Sequence, residues 1–125
     1  MPQPKLPRIV FDTNALVSAA ILPHSISRQA FVSAPRSFRL VHSPATWWEL
    51  YEVIRRRKFD RYFSVGSREQ FLVALARVSE FLDISTVIAD CPDPADNKFL
   101  ELAVGSGASL IVSGDGHLLA PLSWH

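Results

Sequence analysis

The chain has 125 residues, 48% of them hydrophobic, and 13 Lys and Arg set against 12 Asp and Glu. That length makes one domain, 1–125, of the roughly 100–200-residue kind, and its apolar fraction and near-zero net charge exclude a disordered chain. No apolar run reaches the roughly 18–20 residues of a membrane span, Met1-Pro-Gln-Pro-Lys5 lacks the apolar stretch of a secretory signal, and the single Cys91 excludes a disulfide framework or a Cys-rich zinc site. The expectation is a cytoplasmic domain with no membrane partner. The charge is uneven: residues 28–77 carry ten cations and four acids, whereas residues 78–125 carry Lys98 and seven carboxylates.

Arg8-Ile-Val-Phe-Asp12 is β-branched and short, which predicts a buried strand. Asn14 to Leu22 reads as a helix, broken at Pro23-His24-Ser25 before a second helical piece that runs to Ser33. Phe38 to Ser43 is a second strand, and Pro44 starts a helix at the position proline favours. Trp47, Leu50, Tyr51 and Ile54 give that helix an apolar stripe. A helix after Gly66-Ser67 carries Phe71, Leu72, Leu75, Val78 and Leu82 on one side, and Ile84 to Ala89 is a third strand. Asp93-Pro94 opens a helix as N-cap and first position, with Phe99, Leu100, Ala103 and Val104 as its buried face. Gly105 and Gly107 end it, and Ala108 to Ser113 is a fourth strand closed by Gly114-Asp115-Gly116. Strands alternating with helices imply an α/β domain of three layers with a parallel sheet of about four strands. Right-handed crossovers put every strand's C-terminal end on one edge.

Ligands of open α/β sheets bind at that edge, and four acids from separate elements are directed there. Asp12 ends the first strand, Glu49 lies one turn into the helix after the second, Asp96 is in the first turn of the helix after the third, and Asp115 follows the fourth. Each has a plainer explanation. Asp12 can cap the first helix, Asp93 is most simply an N-cap, Asp96 suits a helix N-terminus without any chemistry, and Asp115 is an ordinary turn residue. Together they would repel one another unless a cation relieved them. Mg²⁺ or Mn²⁺ fits an all-oxygen set, and can activate water against a phosphodiester. Cys91 has no neighbouring base, and His24, His42, His117 and His125 lack metal-ligand spacing.

Ile9-Val-Phe-Asp12-Thr-Asn14, Trp47-Trp-Glu49-Leu, Asp93-Pro-Ala-Asp96-Asn97-Lys-Phe-Leu-Glu-Leu-Ala and Ile111-Val-Ser113-Gly-Asp115 resemble, in order, the motifs of PIN domains. They are most similar to the VapC-like ribonuclease toxins of prokaryotic toxin–antitoxin systems. The resemblance runs from about Ile9 to Leu119. It implies a three-layer α/β/α PIN-like domain and a metal-dependent endoribonuclease, with Asp12, Glu49, Asp96 and Asp115 as the catalytic, metal-holding quartet. Asn14, Ser113 and Asp93 would support it. It further implies an RNA substrate, a small antitoxin as partner and a homodimer. The run Arg55, Arg56, Arg57, Lys58 and Arg61 would contact RNA phosphates, although a helix C-terminus also favours cations. Family members continue with another strand, so the C-terminal strand is expected to be missing here.

Two rival readings compete. A phospho-acceptor signalling domain also gathers acids at a parallel-sheet edge, but it expects an adjacent acid pair where this chain has Asp12-Thr13-Asn14, and a lysine after a late strand where Lys98 lies in a helix. A PIN-like module that binds RNA or protein without cutting gives no reason to keep four acids together.

Overall fold

A computed structural model describes residues 6–22, 24–85, 87 and 97–113, and the backbone of 119–121. In chain order the elements are β1 (Arg8–Phe11), α1 (Thr13–Ile21), α2 (Ile26–Ser33), β2 (Arg39–His42), α3 (Pro44–Ile54), α4 (Val65–Arg77), β3 (Ser79–Phe81), α5 (Asn97–Ser106), β4 (Leu110–Val112) and β5 (Leu119–Pro121). The strands form one sheet in the order β3-β2-β1-β4-β5. Its first four are parallel, with Ile9 level with both Leu40 and Leu110, and Leu40 level with Ser79. This is the three-layer α/β/α arrangement expected from the alternation of elements.

Side chains alternate across the sheet, as a pleated strand requires, and so fill two cores. Ile9, Phe11, Leu40 and Val112 pack on one face with Ala15 and Leu16 of α1, Leu50 of α3 and Leu75 of α4. Val10 and Val41 face the opposite side and meet Phe99, Leu102 and Ala103 of α5 together with Ala108. The buried stripe of α5 is therefore Phe99, Leu102, Ala103 and Ser106, while Val104, expected inside, is largely exposed. The helix runs through Gly105 and stops at Gly107, whose φ of 70° is the left-handed geometry that favours glycine.

Three expectations are corrected. The third strand lies at Ser79–Phe81, ahead of the expected 84–89, and Ile84, Ser85 and Val87 lie outside any strand. The apolar pattern through Val78 and Leu82 suggested a longer helix, but α4 ends at Arg77, where the Ser79 hydroxyl donates to the Leu75 carbonyl at 2.6 Å. Leu82 then joins the core on the opposite face of the sheet. The run from Arg55 does sit at a helix C-terminus, as its charge suggested: Arg55 is the C-cap of α3, and Arg57–Phe59 make a short 3-10 turn. The edge beside β4, expected to lack a strand, carries β5, which runs antiparallel with Ile111 level with Ala120.

Candidate active site

The strand order reverses direction at β1: the chain moves outward from β1 to β2 to β3, then returns to the other side of β1 with β4. Such a switch point leaves a crevice beyond the C-terminal ends of the two strands. Asp12 and Ser113 are the residues that follow β1 and β4 there, and the Asp12 amide donates to the Val112 carbonyl at 3.0 Å. Asp12 leaves the strand with extended backbone, and its Oδ1 accepts the Ala15 amide at 2.8 Å, so it is the N-cap of α1. Capping fixes the side chain at the sheet edge with one oxygen committed to the helix. Asn14, exposed in the first turn of α1, and half-buried Ser113 flank it in sequence.

Glu49 arrives from α3. A capping box sets the register of that helix: the Thr46 amide donates to Ser43 Oγ at 3.2 Å, and the Ser43 amide to Thr46 Oγ1 at 3.0 Å, with Pro44 at the first turn. The Leu50 and Ile54 stripe turns inward, which leaves Glu49 at its margin, facing α1 and α5. Thr13 Oγ1 donates to Glu49 Oε2, and Lys98 Nζ donates to Glu49 Oε1 at 2.8 Å. The two ends of the pair are 29% and 27% exposed, so the contact is shielded but not dry. Thr13 directly follows Asp12, and thus α1, α3 and α5 each supply one polar group to a single constellation.

Lys98 and Thr13 were not singled out from the sequence as members of the site. The signal for Lys98 was present, because it is the one cation in residues 78–125 and lies two positions after Asp96. Asn97, at the start of α5, adds a further polar group: its Oδ1 is buried and, among the described residues, has no hydrogen-bond donor. Asp12 and Glu49 are hard oxygen donors and the orphaned amide oxygen is a third, the chemistry that Mg²⁺ or Mn²⁺ takes. Among the described residues, no three His, Cys, Asp or Glu side chains form a metal-holding group. Asp93, Asp96 and Asp115 lie outside the described residues.

The remaining candidates lie apart from this edge. Arg55, Arg56, Arg57, Lys58 and Arg61 are all exposed on and beyond the C-terminal end of α3. His42 is buried in β2, its Nε2 3.1 Å from the Ser79 hydroxyl and its ring packed on Trp47 and Phe81. Burial with little polar compensation pushes its pKa from 6.5 down to about 4. It is a neutral core residue, not a ligand.

Asp12, at the end of the first strand, and Glu49, held by the adjacent Thr13, thus lie at the C-terminal edge of a mainly parallel sheet. Residues 8–117 match the PIN domain model, and the chain belongs to the PIN domain family. It is also similar to the uncharacterized protein MJ1680 of Methanocaldococcus jannaschii, 29% identical over 116 residues that cover 90% of this chain and 74% of that protein. No solved structure matches the chain. Among the described residues, no helix is long and apolar enough to cross a membrane.

Proposed function

We propose that this PIN domain is a metal-dependent endoribonuclease, hydrolysing RNA at the switch-point edge of its sheet, and that it acts as the toxin of a toxin–antitoxin pair. The observation that carries the reading is the constellation of Asp12, Thr13, Glu49 and Lys98, polar groups from three helical segments held together where α/β ligands bind. Asp12 and Glu49, with Asp96 immediately before α5 and Asp115 two positions beyond Ser113, are the residues that would hold Mg²⁺ or Mn²⁺. Such an ion supplies Lewis acidity and a more acidic bound water.

The chain's own groups have separable tasks. Asp12 is fixed by its helix cap, so its orientation needs no reorganisation when substrate binds. Thr13 and Lys98 each take one oxygen of Glu49, which leaves lone pairs on both for a proton or a ligand. Glu49 is then placed to orient the attacking water, and the Lys98 ammonium to neutralise charge gathering on the phosphoryl oxygens. Family membership weighs against a phospho-acceptor domain, and the non-cutting scaffold gives no account of the pinned Glu49. A small antitoxin and a homodimer complete the proposed setting.

The test is cleavage of a 5′-labelled single-stranded RNA in Mg²⁺ or Mn²⁺, with EDTA and a DNA strand of the same sequence as controls. Internal RNA products that need the metal support the proposal. An intact RNA after incubation with folded, metal-supplied protein defeats it.

A further inference from the structure

The outward face of α3 carries groups that the hydrolysis does not use. Trp48 is 60% exposed, a large apolar area to leave in water. Its ring stacks on Tyr51 at 5.5 Å and 24° between planes, and the Arg55 guanidinium lies 4.8 Å from the centre of the Tyr51 ring. Positions 48, 51 and 55 share one helical face, so the two rings and the guanidinium form a ladder along α3. Trp48 directly precedes Glu49, and the ladder therefore starts beside the candidate active site and leads away from it.

The ladder ends among cations. Arg55, Arg56, Arg57, Lys58 and Arg61 are exposed, and the acid within that run, Asp60, already accepts from Arg68 at 2.7 Å. A hollow of about 280 Å³ opens beside it, lined by Tyr51, Arg55, Val65, Arg68, Glu69 and Leu72. Arg68 is only 8% exposed, and its Nε–H has no acceptor among the described residues. Glu52 and Glu69 border the surface, but the cations outnumber the acids. Flat π-faces next to unspent positive charge suit splayed bases and their phosphates, whereas a protein partner would need an acidic surface to match the cations.

We infer that Trp48, Tyr51 and Arg55 form a stacking platform for single-stranded RNA, with the Arg55–Arg61 cations on its phosphates, which feeds the strand to Glu49. This rests on the ribonuclease reading and gives it a subsite and a reason to prefer single strands. Aromatic stacking is tolerant of sequence and is denied to paired bases inside a duplex.

The experiment is fluorescence anisotropy with a labelled 12-nucleotide oligoadenylate and a blunt RNA duplex of equal length, in EDTA so that binding is read without cleavage. Trp48→Ala, at an exposed position, should weaken single-strand binding about tenfold, leave duplex binding and the salt slope unchanged, and be largely rescued by Trp48→Phe. Arg55→Ala should lower the salt slope by about 0.7. The inference is overturned by a wild-type protein that does not bind the oligoadenylate, by Trp48→Ala that binds it normally, or by equal losses on both probes. It is equally overturned if Trp48→Ala dissolves a dimer in sedimentation while RNA affinity stands. A protein that shows the expected binding pattern yet cuts no RNA would retain the platform and defeat the ribonuclease reading alone.

Discussion

Lys98 and Glu49, 49 positions apart in sequence, are joined by a 2.8 Å ion pair that ties α5 to α3 across the crevice edge. Thr13 holds the other oxygen of the same carboxylate. Lys98→Met should cut RNA at least tenfold more slowly while costing on the order of 1 kcal/mol in stability, because the pair is partly screened by water. Lys98→Arg should recover part of the rate. Parallel urea titrations and initial cleavage rates check this; a Lys98→Met protein with the full rate removes Lys98 from the site.

The Asp12 side chain serves a helix and, in the proposed function, a metal, and the two roles separate by substitution. Asparagine caps helices as well as aspartate does, whereas alanine loses about 1 kcal/mol. Asp12→Asn should therefore keep its urea midpoint and Asp12→Ala should not, while both abolish cleavage. If Asp12→Asn cuts RNA normally, the carboxylate is only a cap.

Much of this arrangement was legible in the chain. The β1 run Ile9-Val-Phe11 is hydrophobic throughout because both faces of a central parallel strand are covered, and Pro44 and Gly107 mark a helix start and stop by local sterics alone. β3 was not legible, because Val78 and Leu82 extend the helical period of α4, whereas in the fold Val78 caps the helix and the Ser79 hydroxyl closes on the Leu75 carbonyl. Asp12 and Glu49 could be directed to one edge by topology. The Lys98–Glu49 pair could not, since it depends on how α5 packs against α3, a tertiary fact that no local spacing encodes.

His42 makes the stability pH-dependent. Its pKa falls from 6.5 in the unfolded chain to about 4 in the fold, so between those values the unfolded chain binds more protons. The stability supplied by neutral His42 is complete above pH 6.5 and is lost as pH falls toward 4, roughly 3 kcal/mol across the window. Urea unfolding from pH 4.5 to 7.5 should show this slope, and His42→Phe should flatten it. An unchanged slope in the variant assigns the pH dependence to the carboxylates.

Thr13→Val removes the hydroxyl that holds Glu49 Oε2 and replaces it with a methyl group of similar size. The expected effect is a drop in kcat of several-fold with KM little changed, because Glu49 loses its orientation but the RNA-binding surface is untouched. A change confined to KM would place Thr13 on the substrate instead.

The most direct measurement is RNA cleavage by wild type, Asp12→Asn and Glu49→Gln side by side, each shown by circular dichroism to be folded, with Mn²⁺ and then with EDTA. The account requires cutting by wild type that EDTA abolishes, and loss of at least a hundredfold in both variants. Undiminished cutting by either variant, or cutting by wild type in EDTA, would contradict it.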